Sequence, residues 1–192
     1  MAQDSLTTYR LVAMGGSAGS LEVVLKIVAQ LPAETTAAIV LVLHRKYATD
    51  SILTNTLSAR TGLLVKEVED KESFQGGTIY IAPPDYDLLL EDKQNFSLDS
   101  SEKVHYSRPS IDVTFESVAE TFGPEAIGIL LSGANADGAA GLLKIKGSGG
   151  HTIVQDPASA EVGFMPQQAL LLDATHNVVP AERIGEYLKE LL

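Results

Sequence analysis

Residues 11–19, Leu-Val-Ala-Met-Gly-Gly-Ser-Ala-Gly, place a short apolar run directly before a glycine-rich turn. Beyond the turn, apolar side chains recur at the spacing of one helix face, at Leu21, Val24, Leu25 and Val28. The order of strand, glycine turn and helix predicts the first unit of a parallel α/β sheet. The turn also fits the pattern G-x-S-x-G, whose small residues let the chain bend sharply and expose a serine hydroxyl, here that of Ser17.

The rest of the chain continues this alternation of β-type runs and helical patterns. The uninterrupted apolar run 38–43 is typical of a central parallel strand buried on both faces, and 126–131 is predicted to be a second buried strand. The stretch 87–98 indicates a hairpin with its turn at 92–95. We therefore predict an α/β fold with a doubly wound, mostly parallel sheet, helices on both faces and the hairpin as a candidate antiparallel edge. The other elements expected are strands at 63–68, 78–81, 152–155 and 178–179, and helices over 110–122, 139–146, 165–172, at the C-terminus and after Asp50 with Ile52, Leu53 and Leu57 inward.

Length and composition indicate one globular core. The chain has 192 residues, of which 45% are hydrophobic and 20% charged. A net charge of -11 without a basic run argues against a nucleic-acid partner. The absence of cysteine removes thiol nucleophiles, zinc–thiolate sites and disulfides. Because the first residues lack a secretory signal and no segment has the roughly 18 apolar residues of a membrane span, we expect a cytoplasmic protein without membrane insertion.

His44 and Asp137 are the candidate partners of a nucleophilic Ser17. His44 directly follows the apolar run 38–43, and catalytic groups gather at the carboxyl edge of open parallel sheets. An acid that orients the imidazole should also follow a strand, which leaves Asp137 and Asp156. Asp137 stands among small residues that allow close backbone approach, whereas Asp156 precedes a proline as in a plain turn, so position favours Asp137.

Each of these residues also has a simpler interpretation. The glycine turn could merely pack a helix on its strand, or cradle a phosphate at the helix N-terminus. His44 could be a strand cap without a chemical role. The other histidines are weaker candidates, since His105 lies in a polar loop, His151 begins a strand and His176 lies in a turn. Asp112 is explained by the first turn of a helix, where a carboxylate complements the helix dipole.

Six separated blocks together resemble the catalytic domain of chemotaxis protein-glutamate methylesterases, in that family's order and across nearly the whole chain. These blocks are Gly16-Ser17-Ala18-Gly19, the strand that ends in His44, Tyr80-Ile81-Ala82-Pro83, Arg108-Pro109-Ser110-Ile111-Asp112-Val113, the loop from Ser132 to Gly141, and Gly163-Phe164-Met165-Pro166. The family's serine, histidine and aspartate fall on Ser17, His44 and Asp137, so the resemblance favours Asp137 over Asp156. It also implies a mostly parallel α/β sheet and hydrolysis of γ-glutamyl methyl esters on the cytoplasmic helices of chemoreceptors, with release of methanol.

The chemistry expected on this basis is acyl transfer to water. His44 takes the Ser17 proton, Ser17 attacks the ester carbonyl, and Asp137 orients the imidazole and stabilises its charged form. Backbone N–H groups of Ala18 and Ala134 are the candidate donors to the oxyanion. We expect no cofactor and no metal.

Three departures from the family's pattern lie close to these residues. After the nucleophile the family commonly has Thr and then Gly-Gly, where this chain has Ala18 and Gly19-Ser20. Before the glycine that follows the aspartate the common loop is Met-Gly-Asn-Asp, where this chain has Ala134-Asn135-Ala136-Asp137.

The family usually carries a receiver domain ahead of the catalytic domain, whereas we expect residues 1–192 to form a single methylesterase-like catalytic domain with no receiver domain.

The expected partners are the cytoplasmic helices of methyl-accepting chemoreceptors. Arg45, Lys46 and Arg108 could form a basic rim for such acidic helices, or could be ordinary surface charge. Two rival functions keep the same three residues: deamidation of receptor glutamines, and hydrolysis of an ester on another protein. A third, from another class, is a catalytically silent module whose glycine loop binds an anion.

Overall fold

The structure is a computed structural model, and it describes residues 10–44, 50–101 and 108–192. Its strands are β1 (Leu11–Gly16), β2 (Ala38–Leu43), β3 (Leu64–Glu67), β4 (Thr78–Ile81), β5 (Asp87–Leu90), β6 (Phe96–Asp99), β7 (Ala126–Leu130), β8 (His151–Gln155) and β9 (Asn177–Val179). Its helices are α1 (Leu21–Val28), α2 (Asp50–Ser58), α3 (Ile111–Phe122), α4 (Ala139–Gly147), α5 (Phe164–Leu171) and α6 (Ile184–Leu191).

The main sheet is parallel throughout its described length. Its strand order is β3-β4-β2-β1-β7-β8-β9, so β2, β4 and the edge strand β3 lie on one side of β1, and β7, β8 and β9 follow in chain order on the other. β1 and β2 are buried at every position, because helices cover both faces of the sheet. The predicted doubly wound α/β sheet is confirmed.

Two apolar layers separate the sheet from its helices. Side chains of α1, α2 and α6 pack on one face, together with alternate residues of the central strands such as Val12 and Met14. Side chains of α3, α4 and α5 pack on the other face, with Leu11 and Ala13. Alternate residues of a strand point to opposite faces, so each central strand contributes to both layers.

The hairpin is present, but its expected place at the edge of the main sheet is wrong. β5 and β6 pair only with each other among the strands described and form a separate antiparallel sheet. Leu88, Leu90 and Phe96 of this hairpin are buried against α3, and the Thr114 hydroxyl of that helix donates to the Leu88 carbonyl over 2.8 Å. Burial of one apolar face on a helix holds the hairpin over α3, beside the start of that helix.

Candidate active site

Two neighbouring strands place Ser17 and His44 side by side. β1 and β2 are paired with Gly16 opposite Leu43, so Ser17 and His44 are the first residues beyond the two strand ends. The His44 N–H extends the pairing by donating to the Gly16 carbonyl over 3.2 Å. β1 also borders the point where the winding of the sheet reverses, which is where open α/β sheets bind their ligands.

Asp137 reaches His44 from the loop after β7, the other neighbour of β1. Its Oδ2 lies 2.8 Å from His44 Nε2. The Asp137 side chain is fully buried, and the imidazole is 12% exposed. The structure therefore brings Asp137 and His44 into contact and places Ser17 on the same cleft as His44. Asp156, the alternative acid, instead caps a short turn by accepting the Ala158 N–H over 2.9 Å.

The N-terminus of α3 holds the buried carboxylate of Asp137. Oδ1 accepts the Asp112 N–H over 2.9 Å and the Ser110 hydroxyl over 3.1 Å, while Oδ2 accepts the Ile111 N–H over 2.7 Å. The first N–H groups of a helix have no partner within the helix and carry the positive end of its dipole. The helix start thus supplies the hydrogen bonds that water would give to an exposed carboxylate.

These contacts decide the charge of Asp137. Burial by itself raises the pKa of Asp137, since a desolvated carboxylate is harder to ionise. The hydrogen bond with His44 and the N–H groups of Asp112 and Ile111 act in the opposite direction and prevail, so that the pKa lies below its ordinary value. Asp137 is therefore ionised at neutral pH. Because a carboxylate only accepts hydrogen bonds, His44 Nε2 carries the proton that the two groups share.

The turn after β1 holds Ser17 by its backbone. The Ser17 N–H donates to the Ser132 carbonyl over 2.9 Å, and the Ser17 carbonyl accepts the Ser20 hydroxyl over 2.7 Å. The positive φ of the turn, 76°, falls on Gly19, and Ser17 is not among the described non-glycine residues with positive φ. A Cβ at Gly19 would lie 2.5 Å from the Glu161 Cβ, so glycine is required there for space as well. The turn is sharp without strain at the serine itself.

Ser17 lines an apolar cleft of about 220 Å³. No described residue hydrogen-bonds to its hydroxyl, and the residue is half-buried. Besides Ser17 and His44 the lining consists of uncharged side chains from the end of β2, the turn before α1, and helices α1 and α2, namely Leu43, Ser20, Leu21, Ile52, Leu53 and Thr56. Such a lining favours a neutral group such as an ester over an ionised carboxylate, whose desolvation costs free energy.

The expected oxyanion donors, Ala18 and Ala134, lie on the loops after β1 and β7. Neither backbone N–H has a hydrogen-bond partner among the described residues, so both remain able to donate. Ser132 connects the two loops, because its hydroxyl donates to the Ala18 carbonyl over 2.7 Å and its carbonyl accepts the Ser17 N–H. The loops are thus held together beside the nucleophile.

Arg108 belongs neither to a basic rim nor to ordinary surface charge, the two interpretations that the sequence left open. Its side chain is 9% exposed, and its Nε lies 3.7 Å from Asp87 Oδ2. Asp87 in turn accepts the Ser110 N–H over 2.6 Å through Oδ1. The guanidinium therefore lies inside the protein beside Asp87, which itself accepts the N–H of the residue that caps α3. Arg45 and Lys46, the other two residues of the expected rim, lie outside the described residues.

The remaining histidines stand away from the cleft where the structure describes them. His151 begins β8 and so lies at the amino edge of the parallel sheet, opposite the edge of Ser17, as predicted. Its ring stacks on that of His176, with ring centroids 5.4 Å apart and an angle of 7° between the planes. His105 lies outside the described residues.

Sequence reasoning missed three features of this site. It placed Ser110 at the start of a predicted helix but not as a partner of Asp137, although the free N–H groups at a helix start are a general signal for a bound anion. It placed Ile52 inward, whereas that side chain is 64% exposed at the cleft. It assigned nothing to Asn135, whose amide lies between His44 and the backbone of Asp137.

In residues 10–44, 50–101 and 108–192, no three side chains from histidine, aspartate and glutamate lie close enough together to hold a metal ion. No described helix combines the length and the apolar character needed to cross a membrane.

Comparison with known proteins gives consistent results. The model of the CheB methylesterase family matches residues 12–188. A putative protein-glutamate methylesterase/protein-glutamine glutaminase of Leptospira interrogans is 40% identical over 178 residues, which are 93% of this chain and 92% of that protein. Protein-glutamate methylesterase FrzG of Myxococcus xanthus is 38% identical over 95% of this chain, but the match covers only 54% of FrzG.

A solved structure shows the same fold. The crystal structure of the Thermotoga maritima CheB methylesterase catalytic domain superposes with a TM-score of 0.91 and 33% sequence identity. The match covers 96% of this chain and all of that domain, 100%. The likeness therefore extends over the sheet, its helices and the hairpin together.

Proposed function

This chain belongs to the CheB methylesterase family, a family of carboxylic ester hydrolases, and we propose that it acts as a serine hydrolase on glutamate methyl esters of chemoreceptor cytoplasmic helices, releasing methanol. The observation that carries the mechanism is the contact between His44 and the buried, ionised Asp137, together with the cleft that both His44 and Ser17 line. A polarised imidazole next to a free serine hydroxyl is the arrangement that activates a serine nucleophile.

In the proposed first step the Ser17 hydroxyl attacks the ester carbonyl while its proton passes to His44. The imidazolium that forms is stabilised by Asp137, already ionised and hydrogen-bonded to the ring. The tetrahedral intermediate collapses as His44 returns the proton to the leaving oxygen, and methanol departs. Water then hydrolyses the acyl-serine by the same route and leaves a free glutamate side chain and the original enzyme.

The carbonyl oxygen carries the negative charge of the intermediate, and the N–H groups of Ala18 and Ala134 are our candidates for stabilising it. Their freedom from partners among the described residues supports this role. A donor of this kind contributes roughly 3–4 kcal/mol to the transition state when it is well aligned.

Deamidation of glutamine is the second candidate reaction, favoured by the names of several relatives as methylesterase/glutaminase. The same acyl-serine would form, with ammonia in place of methanol as the leaving group. The apolar lining of the cleft favours the ester as the better substrate, because an amide N–H₂ finds no charged or carboxamide partner among the described lining residues.

The test is a product assay on a methylated chemoreceptor cytoplasmic fragment that also contains receptor glutamines. Methanol and ammonia are measured for the wild-type protein, for Ser17→Ala and for the control Ser58→Ala, an exposed serine at the end of α2. We expect methanol release from wild type and Ser58→Ala, none from Ser17→Ala, and a nearly unchanged Tm in both variants. Substantial turnover by Ser17→Ala would remove Ser17 as the nucleophile, and ammonia without methanol would identify a glutaminase.

A further inference from the structure

The side chain of Asn135 contacts both Asp137 and His44. Its Oδ1 accepts the Asp137 N–H over 3.1 Å, and its Nδ2 lies 3.5 Å from His44 Nδ1. The side chain is half-buried in the loop that joins β7 to α4. His44 is therefore contacted at both ring nitrogens, by the Asp137 carboxylate at Nε2 and by the Asn135 amide at Nδ1.

The hydrogen-bonding roles around this ring follow from two fixed partners. The backbone N–H of Asp137 can only donate, so the atom of Asn135 that faces it is the carbonyl oxygen, and the NH₂ group faces His44. The ionised Asp137 carboxylate can only accept, so the imidazole proton is on Nε2. Nδ1 of the neutral ring then carries the lone pair, which is the acceptor that the Asn135 amide requires.

Protonation of His44 removes the match between the Asn135 NH₂ donor and the Nδ1 acceptor. An imidazolium has N–H at both nitrogens, so its Nδ1–H would point at the N–H₂ of Asn135, donor against donor. A hydrogen bond to the neutral form of a group, like a nearby like charge, disfavours its charged form. The amide therefore opposes the proton on Nδ1 in the resting enzyme.

We propose that Asn135 is a positioning residue, which holds the neutral ring of resting His44 as its Nε2–H tautomer and so keeps the Nδ1 lone pair available as the general base. The inference rests on the proposed function for its kinetic consequence only, since tautomer and protonation can be observed without turnover. During attack, the Ser17 hydroxyl replaces the Asn135 amide as the donor to Nδ1.

Among the described residues, Asn135 and Asp137 are the side chains that hydrogen-bond to the His44 ring. The cleft beside it is also lined by Leu43 at the end of β2, by Ser20 just before α1, and by residues of α1 and α2, namely Leu21, Ile52, Leu53 and Thr56, and none of these side chains titrates near neutral pH. The carboxylate of Glu161 lies beside the turn after Ser17, where its Oε2 would be 3.0 Å from a Cβ added at Gly19. Asp137 is thus the charged group in direct contact with the ring among the described residues.

Asn135→Asp is the decisive variant because it changes one atom of the amide. One carboxylate oxygen still accepts the Asp137 N–H, so the loop contact is kept, while the other replaces the NH₂ and attracts an imidazolium instead of opposing it. Asn135→Ala removes both contacts and serves if the aspartate variant does not fold. Gln94→Glu, at the exposed turn of the hairpin, adds the same charge far from the site.

The primary measurement is NMR of the full chain labelled with ¹⁵N at histidine, with His44 assigned by comparison with His44→Gln. We expect the neutral wild-type ring to carry its proton on Nε2. We expect Asn135→Asp to raise the pH midpoint of the His44 titration by roughly one unit or more, Asn135→Ala to raise it by less, and Gln94→Glu to leave it unchanged. A wild-type proton on Nδ1, or an unchanged midpoint in both Asn135 variants, would overturn the proposal.

Kinetics provide the second readout. If methyl-ester hydrolysis is observed, the acid limb of kcat/KM should move to higher pH in Asn135→Asp by the same amount as the NMR midpoint. A uniform loss of kcat/KM at every pH, with the limb unmoved, would indicate a merely structural role and contradict the proposal. If no ester is hydrolysed at all, the proposed function fails, while the NMR result still decides the role of Asn135.

Discussion

Replacing Asp137 by asparagine tests the proposed mechanism most directly, because the change keeps the shape of the side chain and removes its charge. In the native structure the two carboxylate oxygens accept four hydrogen bonds, from the Asp112 and Ile111 N–H groups, the Ser110 hydroxyl and His44 Nε2. An asparagine has only one oxygen for these positions. Its NH₂ must take the other position, where a backbone N–H already points at it.

Each orientation of the new amide has a definite consequence. With NH₂ in place of Oδ1 it faces the Asp112 N–H, and the contact with His44 is kept without its charge. With NH₂ in place of Oδ2 it faces the Ile111 N–H and forces His44 Nε2 to become the acceptor, which moves the ring proton to Nδ1 and removes the base. Either way one buried donor loses its acceptor, at a cost of about 1–3 kcal/mol in the free energy of unfolding.

The expected effect on catalysis is much larger than the effect on stability. The variant loses the negative charge that stabilises the imidazolium, and part of its population holds the wrong tautomer. We expect kcat for methanol release to fall by roughly 10⁴-fold, the size seen when the acid of a catalytic triad is neutralised. The protein should nevertheless fold, because the apolar layers of the sheet are untouched.

The control is Asp156→Asn, the acid that sequence position left as the alternative. Asp156 accepts the Ala158 N–H through one oxygen, and an asparagine oxygen can do the same. We therefore expect kcat and stability close to those of wild type. Methanol release from a methylated receptor fragment gives kcat, and urea unfolding followed by circular dichroism gives stability. A loss of less than about tenfold in Asp137→Asn, or a greater loss in Asp156→Asn, would refute the assignment of the acid.

Two further predictions concern stability. Gly138→Ala should lower the free energy of unfolding by about 1–3 kcal/mol in urea titrations, because φ is 94° there and a Cβ would lie 2.6 Å from Leu130 Cδ1 and 2.7 Å from Ile111 Cγ2. The control Gly147→Ala has no atom within 4 Å of its new Cβ and lies in α4, so a comparable loss there would contradict the reasoning. Burial, and then the neighbouring His176, lower the pKa of His151, so the unfolded chain binds a proton at a higher pH than the folded one. Stability should therefore fall as pH decreases below about 6.5, and His151→Gln should flatten this part of the pH profile; an equally steep profile in the variant would show that His151 does not cause it.

The main sheet was predictable because its strands carry their signal locally. The run 38–43 is apolar at every position and 126–131 at every position but Gly128, and runs of this short length are typical of strands covered on both faces. The hairpin's sequence also predicted two strands and a turn correctly. Its partner could not be predicted in the same way, since packing of Leu88 and Phe96 on α3 depends on residues more than a dozen positions away.

The sequence by itself determined the order of strands and helices, the serine turn at Ser17 and the position of His44 beyond a strand end, because short-range patterns of apolar residues and glycine specify these features. Only the tertiary structure decided what surrounds them. The start of α3 keeps Asp137 charged, Arg108 is buried against Asp87 rather than exposed, and the Asn135 amide faces the imidazole. These contacts join loops that follow different strands, and a hydrogen bond between distant loops depends on distances and angles that only the folded sheet sets.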